Sequence, residues 1–325
     1  MRRRLSSRSH RWAGLFLVVV LVGCSEPGTE TQPRSIEAIA DVYLAAMLER
    51  HPEYGTYFGI EGASHDDLTD NSLEALAKWQ TREEAWLAEL DAIGPPADVG
   101  SRDWVTYGVL HEELAASIGA RICRSELWPA STTTAWYNGL PSLFDIQPLE
   151  DEEMQAAALT RLGLVAGFVE AEIANLERGL ELGYSAPRVT VEAVPGEVRA
   201  LLDKDNPFLN MASRSDNESF RDDVTKIYES EIAPAIERFA AFIETEYLPA
   251  AREVIALSAN PDGAECYPRL VRGFTTVSPS ADEIHRLGLD QMNRIRAEMQ
   301  QVINEHFGGG DVRAFLRKLK TDPQY

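Results

Sequence analysis

Residues 278–310 read SPSADEIHRLGLDQMNRIRAEMQQVINEHFGGG. Ile284, Leu287, Ile295, Met299 and Ile303 recur with the 3.6-residue period of an amphipathic helix. The stretch also carries its own punctuation. Ser278 before Pro279 predicts an N-cap with proline at the first helical position. Asp282 and Glu283 complement the positive helix end, and Gly308-Gly309-Gly310 predicts the stop.

The same period runs through most of the chain. Ile36, Ile39, Ala40, Tyr43, Met47 and Leu48 predict a helix ending before Pro52. Leu73, Leu76, Ala77, Trp79, Trp86, Leu87 and Leu90 predict a second, stopped by Gly94-Pro95-Pro96, and Arg102 to Ile118 a third. Leu159, Leu162, Ala166, Val169, Ile173, Leu176 and Leu180 predict a fourth, with Gly183 as its C-terminal cap. Val224, Ile227, Tyr228, Ile232, Ile236, Phe239 and Ile243 continue the pattern, with Pro234 either kinking that helix or starting a new one. A last helix is expected over Asp311 to Lys320. The fold class is therefore all-α, a multi-helix array without an internal repeat.

Departures from the helical period are few. Arg188 to Val194 (RVTVEAV) alternates and is the best strand candidate. Long loops are expected over Trp128 to Leu149 and over the polar, turn-rich Asp203 to Asn217. The aromatic residues of the first loop, Trp128, Trp136 and Tyr137, are read as pinning it to the core in preference to lining a ligand cleft.

The N-terminus predicts an export route. Arg2, Arg3, Arg4, Arg8 and Arg11 precede an apolar and glycine run, Ala13 to Gly23, too short for a settled bilayer span. Leu21-Val22-Gly23-Cys24 matches the bacterial lipobox, in which Cys24 is acylated and becomes the mature N-terminus. Residues 1–24 are thus a lipoprotein signal peptide, 25–34 a flexible tether with Pro27, Gly28 and Pro33, and 35–325 a helical domain. The lipid makes the membrane a partner. Ser25 stands where an inner-membrane retention signal has aspartate, which favours the periplasmic face of the outer membrane.

Charge excludes one class of partner. The chain carries 31 basic and 52 acidic residues, a net charge of −21. Removing residues 1–24 removes five arginines and no acid, so the mature charge is −26. Such a surface repels phosphate backbones, and nucleic-acid binding is not expected. Cys123 and Cys266 remain after lipidation, in an oxidising compartment. Two readings stand open: a disulfide, or two buried free thiols.

Catalytic motifs are missing from the residues. A helical zinc site of the gluzincin type needs histidines at i and i+4 with a glutamate beside the first. His111-Glu112 begins such a motif, but Ala115 occupies the fourth position. His51, His65, His285 and His306 lead to Gly55, Thr69, Leu289 and Gly310. There is no Gly-x-Ser-x-Gly elbow, and the glycines at 308–310 lack the lysine of a phosphate loop. The acidic runs Glu112-Glu113 and Asp151-Glu152-Glu153 read as solvated surface. No catalytic or metal-ligating residue is assigned.

One segment carries a resemblance. Gly263, Tyr267, Thr275-Thr276, Ser278-Pro279, Glu283-Ile284-His285 and Leu287-Gly288-Leu289 follow one another in an order and spacing similar to bacterial lipoproteins grouped as domain of unknown function 885. Arg294-Ile295 and Glu298-Met299 extend the match, and His51-Pro52 with Gly59 and Tyr247-Leu248-Pro249 are consistent with it. Members of that family resemble helical zinc peptidases of about twice this length, with an HExxH-type helix in their later half. The resemblance implies that this chain is the N-terminal half of a helical gluzincin-type fold. It implies zinc only where the second half is present, and peptides as ligands. The family domain is then expected to continue beyond Tyr325. The alternative is a non-catalytic, lipid-anchored protein that binds peptides or an envelope partner.

Overall fold

The computed structural model describes residues 34–133 and 135–324. The expected signal peptide, Cys24 and nearly all of the expected tether lie outside these residues. Fifteen α-helices follow one another, and no strand forms among the described residues.

The first helices build a three-helix unit. α1 (Ile36–Arg50), the short α2 (Glu53–Tyr57), α3 (Leu73–Ile93) and α4 (Arg102–Ala120) appear in order. Ser35, Ser72 and Ser101 each accept a hydrogen bond from the backbone of the first turn that they cap. α3 ends at Gly94, whose φ of 73° belongs to the left-handed region that glycine enters without steric cost. Ile39, Ala46, Trp86, Leu90, Leu110 and Leu114 form the small core of this unit. The Arg82 guanidinium lies over the rings of Trp86 and Trp79, at 5.2 and 5.8 Å.

The main core follows. α5 (Trp136–Asp145) and α6 (Glu152–Glu181) lead into α7 (Arg188–Val191), α8 (Val194–Ala200), α9 (Pro207–Ser213), α10 (Glu218–Ile227), α11 (Ala233–Phe242) and α12 (Leu248–Ala250). Asp151 caps α6, with Glu152 and Glu153 in its first turn, so part of that acidic run complements the helix dipole. α6 is the spine. Ala158, Leu162, Val165, Val169 and Leu176 are buried against α10 and α11, which supply Val224, Ile236 and Phe239, and α8 adds Val194 and Val198 to the same core by packing on α11.

Four expectations need correction. Arg188 to Val194 is not a strand: Arg188–Val191 is one helical turn, started by Pro187, and α8 begins at Val194. Val191 and Val194 both enter the core, so burial of a short turn overrides the β-propensity of the alternating valines. The expected loop over 128–149 contains α5, whose Trp136, Tyr137, Leu143 and Phe144 are buried. The expected loop over 203–217 contains α9, capped by Asn206 with Pro207 at the first position. The cap of the helix quoted first lies two residues later than expected. Ser280 and Glu283 form a reciprocal capping box, which Ser278-Pro279 precede.

Of the two readings of Pro234, the second holds: it stands in the first turn of α11, which begins at Ala233. A π turn, Tyr228–Ile232, precedes it, and a second π turn, Ile243–Tyr247, precedes Pro249. Proline cannot donate the usual backbone hydrogen bond, and its ring collides with the carbonyl four residues back. The wider turn relieves both problems while the chain keeps its direction.

The last three helices are α13 (Gly263–Thr275), α14 (Ala281–His306) and α15 (Val312–Thr321). α13 packs on α4, whereas α14 and α15 pack on one another. Asp311 caps α15, and Phe307 stacks at 4.7 Å on Phe315 to close the hairpin. No helix among the described residues is long and apolar enough to cross a membrane.

Candidate functional site

Among the described residues no group of three or more His, Cys, Asp or Glu side chains could hold a metal ion. The histidines are dispersed in local contacts. His51 Nδ1 lies 2.9 Å from Thr69 Oγ1, and His65 Nδ1 lies 2.8 Å from Thr56 Oγ1. His111 stacks on Tyr107 and reaches Asp91 at 3.0 Å, as a helix-surface residue does. Trp136 and Tyr137 pack edge-on and tilted against Phe239, at 5.3 and 5.9 Å. The aromatic residues after Leu127 therefore anchor their segment to the core.

Cys123 and Cys266 are brought together although 143 residues separate them. Their Cα atoms lie 4.8 Å apart, and both side chains are buried. This contact is part of a footing that holds α13 on α4. Beside it, Arg272 donates two hydrogen bonds of 2.7 Å to the two carboxylate oxygens of Glu112. The guanidinium holds the Glu112 carboxyl below its ordinary pKa, and the carboxylate raises that of Arg272. At the start of α13, Gly263 lies directly against the backbone of residues 257 and 258. A Cβ there would overlap the carbonyl oxygen of Leu257, so the tight entry into the helix needs glycine.

From this footing the chain rises into an apolar face. Ile284, Met292, Ile295, Met299 and Val302 recur at intervals of three, four or twice four residues, with Gly288 filling the open step. A stripe of this kind normally faces a core. Here Met292 is 69 % exposed and Leu287, at its edge, 60 %. Of the whole helix only Ile303 is buried. Met292, Ile295 and Met299 form the floor of a groove of about 600 Å³ with Val312 and Leu316 of α15. Arg296, Gln300, Asp311 and Arg313 form its rim. Below the footing, Phe274 and Val277 at the end of α13 are exposed as well. Contiguous exposed apolar surface of this kind marks an interaction site.

A second feature was not picked out from the sequence. Arg161 of α6 is fully buried. Its guanidinium donates to Thr56 Oγ1 at 2.7 Å, Gln147 Oε1 at 2.8 Å, the Asp67 carbonyl at 2.8 Å and the Ser64 carbonyl at 3.3 Å. None of these acceptors is a carboxylate, and burial lowers the arginine pKa. Gln147 Nε2 donates in turn to the His65 carbonyl at 2.9 Å. The whole connection between α2 and α3 is thus tied to one cation. Burial, and next the Arg161 charge, hold the His65 imidazole below its ordinary pKa. The signal was faint but present: Arg161 lies three residues after Ala158 and four before Val165, within the buried stripe.

With this geometry in place, the comparisons with known proteins are specific about fold. A crystal structure of a candidate lipoprotein from Colwellia psychrerythraea is similar with a TM-score of 0.77 at 17 % identity, covering 90 % of this chain and 55 % of that one. A candidate lipoprotein of unknown function from Shewanella oneidensis gives a TM-score of 0.63 at 13 % identity, covering 88 % of this chain and 52 % of that one. The chain therefore spans about half the length of the solved structures it matches. No curated protein matches it. At these identities the likeness establishes the all-helical fold alone. A family model matches from Pro52 to the last residue, so the chain belongs to the family described as bacterial protein of unknown function, DUF885.

Proposed function

We propose that this protein is a lipid-anchored component of the bacterial envelope whose helical body forms the N-terminal wall of a zinc-dependent peptidase. The observation that carries the reading is the open face of α14. A helix of 26 residues with only Ile303 buried needs a second body, and the matched structures extend well beyond the part that this chain covers. Among the described residues no group of side chains could hold a metal, and this reading assigns zinc and the general base to that second body. There the metal would activate water for hydrolysis of a peptide bond. Cys24 tethers the assembly to the periplasmic face of the outer membrane, and the Cys123–Cys266 pair is closed as a disulfide in that compartment.

The test is direct. The mature chain is purified alone and as part of a polypeptide carrying a second half of the fold, and zinc content and hydrolysis of a mixed peptide pool are measured. Stoichiometric zinc and hydrolysis in the longer form, with neither in the mature chain alone, support the proposal. A longer form that binds peptides without zinc and without hydrolysis supports a non-catalytic, peptide-binding lipoprotein instead.

A further inference from the structure

The open face of α14 and α15 differs from the rest of the protein in charge as well as in polarity. Residues 34–280 carry 19 basic and 43 acidic side chains, whereas residues 281–321 carry seven basic and six acidic. The hairpin is a long stretch of the folded body that is not strongly acidic. Its cations are also placed at the groove. Arg296 and Arg313 stand on the rim, and Arg317 follows Arg313 by one helical turn on the same face. Arg294 pairs with Glu298 at 2.6 Å, but the guanidinium groups of Arg296, Arg313 and Arg317 pair with no carboxylate among the described residues.

An apolar floor flanked by unpaired arginines has a defined complement. We infer that the groove between α14 and α15 receives an amphipathic helix with an apolar stripe and acidic flanks, supplied by the half of the family fold that this chain does not cover. The inference rests on the two-body reading above and adds the chemistry of the contact. The stripe from Ile284 to Val302 runs for about five helical turns, a length suited to one helix laid along it. The apolar residues supply binding area, and the arginines set orientation and exclude basic segments, because charge pairs govern specificity more than affinity. A helix lying in a hydrophobic groove is a recurrent recognition mode. An anionic membrane would also attract the arginines. The groove, however, is concave, which suits a single helix better than a flat bilayer surface.

The experiment uses the mature chain and two synthetic helical peptides of about 18 residues with an identical leucine stripe. One is flanked by glutamate and the other by lysine. The glutamate-flanked peptide is expected to bind at least about ten-fold more tightly in a fluorescence titration, a ratio that falls with added salt. The double variant Arg313→Glu, Arg317→Glu should bring the ratio to one or invert it. Ile295→Asp should abolish binding of both peptides while leaving the helical circular dichroism intact. Equal binding, binding of neither peptide, or a ratio unchanged in the double variant would overturn the inference. So would a homodimer that buries α14 by hydrogen exchange. Sedimentation with phosphatidylglycerol vesicles that the acidic peptide does not compete away would give the face to a membrane instead. Absence of zinc or hydrolysis in the longer form would remove the peptidase reading and leave the charge ratio untouched.

Discussion

α6 and α14 are the two longest helices of the protein, and both carry an apolar stripe, but they sit in opposite circumstances. α6 buries Ala158, Leu162, Val165, Val169 and Leu176 under helices from both sides, whereas α14 leaves its stripe open. The difference does not come from the pattern of either helix. It comes from what later chain segments supply: α10 and α11 return to cover α6, while α15 covers only the later part of α14. Amphipathicity states that a helix needs a partner, and topology decides whether that partner is present.

The comparison can be strained by perturbing the anchors on each side of it. The largest effect is expected for the cysteine pair that holds the footing of α14. In the chain-entropy model, closing a loop of 143 residues contributes about 4–5 kcal/mol, so Cys123→Ser with Cys266→Ser should lower the unfolding free energy by that order. Two titratable thiols in the unfolded, unreduced wild type would show instead that the bond is not formed.

Next comes the anchor inside the α6 region. Arg161→Met removes the donor for four acceptors at once, two of them buried, and a loss of about 3–5 kcal/mol is expected from urea unfolding. Proteolysis should then cut first between Phe58 and Asn71. A loss below about 1 kcal/mol would mean that water replaces the guanidinium without penalty.

A paired substitution reads the contrast itself. Leu162→Ala in the covered helix should cost about 2–5 kcal/mol, whereas Ile295→Ala on the open stripe should lie within about 0.5 kcal/mol in the chain alone. Equal losses would show that α14 is covered in solution.

The smallest expected effect is a pH dependence at His65. Its folded pKa lies below the unfolded value, so the folded state resists protonation and stability falls as pH drops below about 6.5, levelling off under the folded pKa. His65→Gln, which keeps a hydrogen-bonding group toward Thr56, should remove that acid-side slope. A His65 midpoint at or above about 6.5 by proton NMR would contradict the assignment.

Much of this was legible in the sequence, and the failures have physical causes. The long helices declared themselves through period and punctuation, as Ser72 and Gly94 do for α3. The short helices α5, α7 and α9 did not, because four to ten residues cannot pay the cost of nucleation alone and exist only where the core holds them. Pro141 inside α5 and the valines of α7 argued locally against what packing imposes. Within the candidate site, the stripe of α14 could be read from its period, while its exposure depends on which segments return to cover it. Arg161 interrupts the buried stripe of α6 with a charge, and the period alone does not say what would receive it. Only the fold shows that the connection after α2 wraps around it.

The π turns before Pro234 and Pro249 carry a further consequence. Each places an extra residue in one turn and so advances the phase of everything after it by about 100°. Phe239 and Ile243 face the core only because the first turn has already been wound wide. Deletion of a single residue between Tyr228 and Ile232 would restore ordinary helical winding and leave α11 facing α6, because the wide turn already absorbs that residue. Deletion of one residue inside α11 has no such slack and would turn Ile243 out of the core.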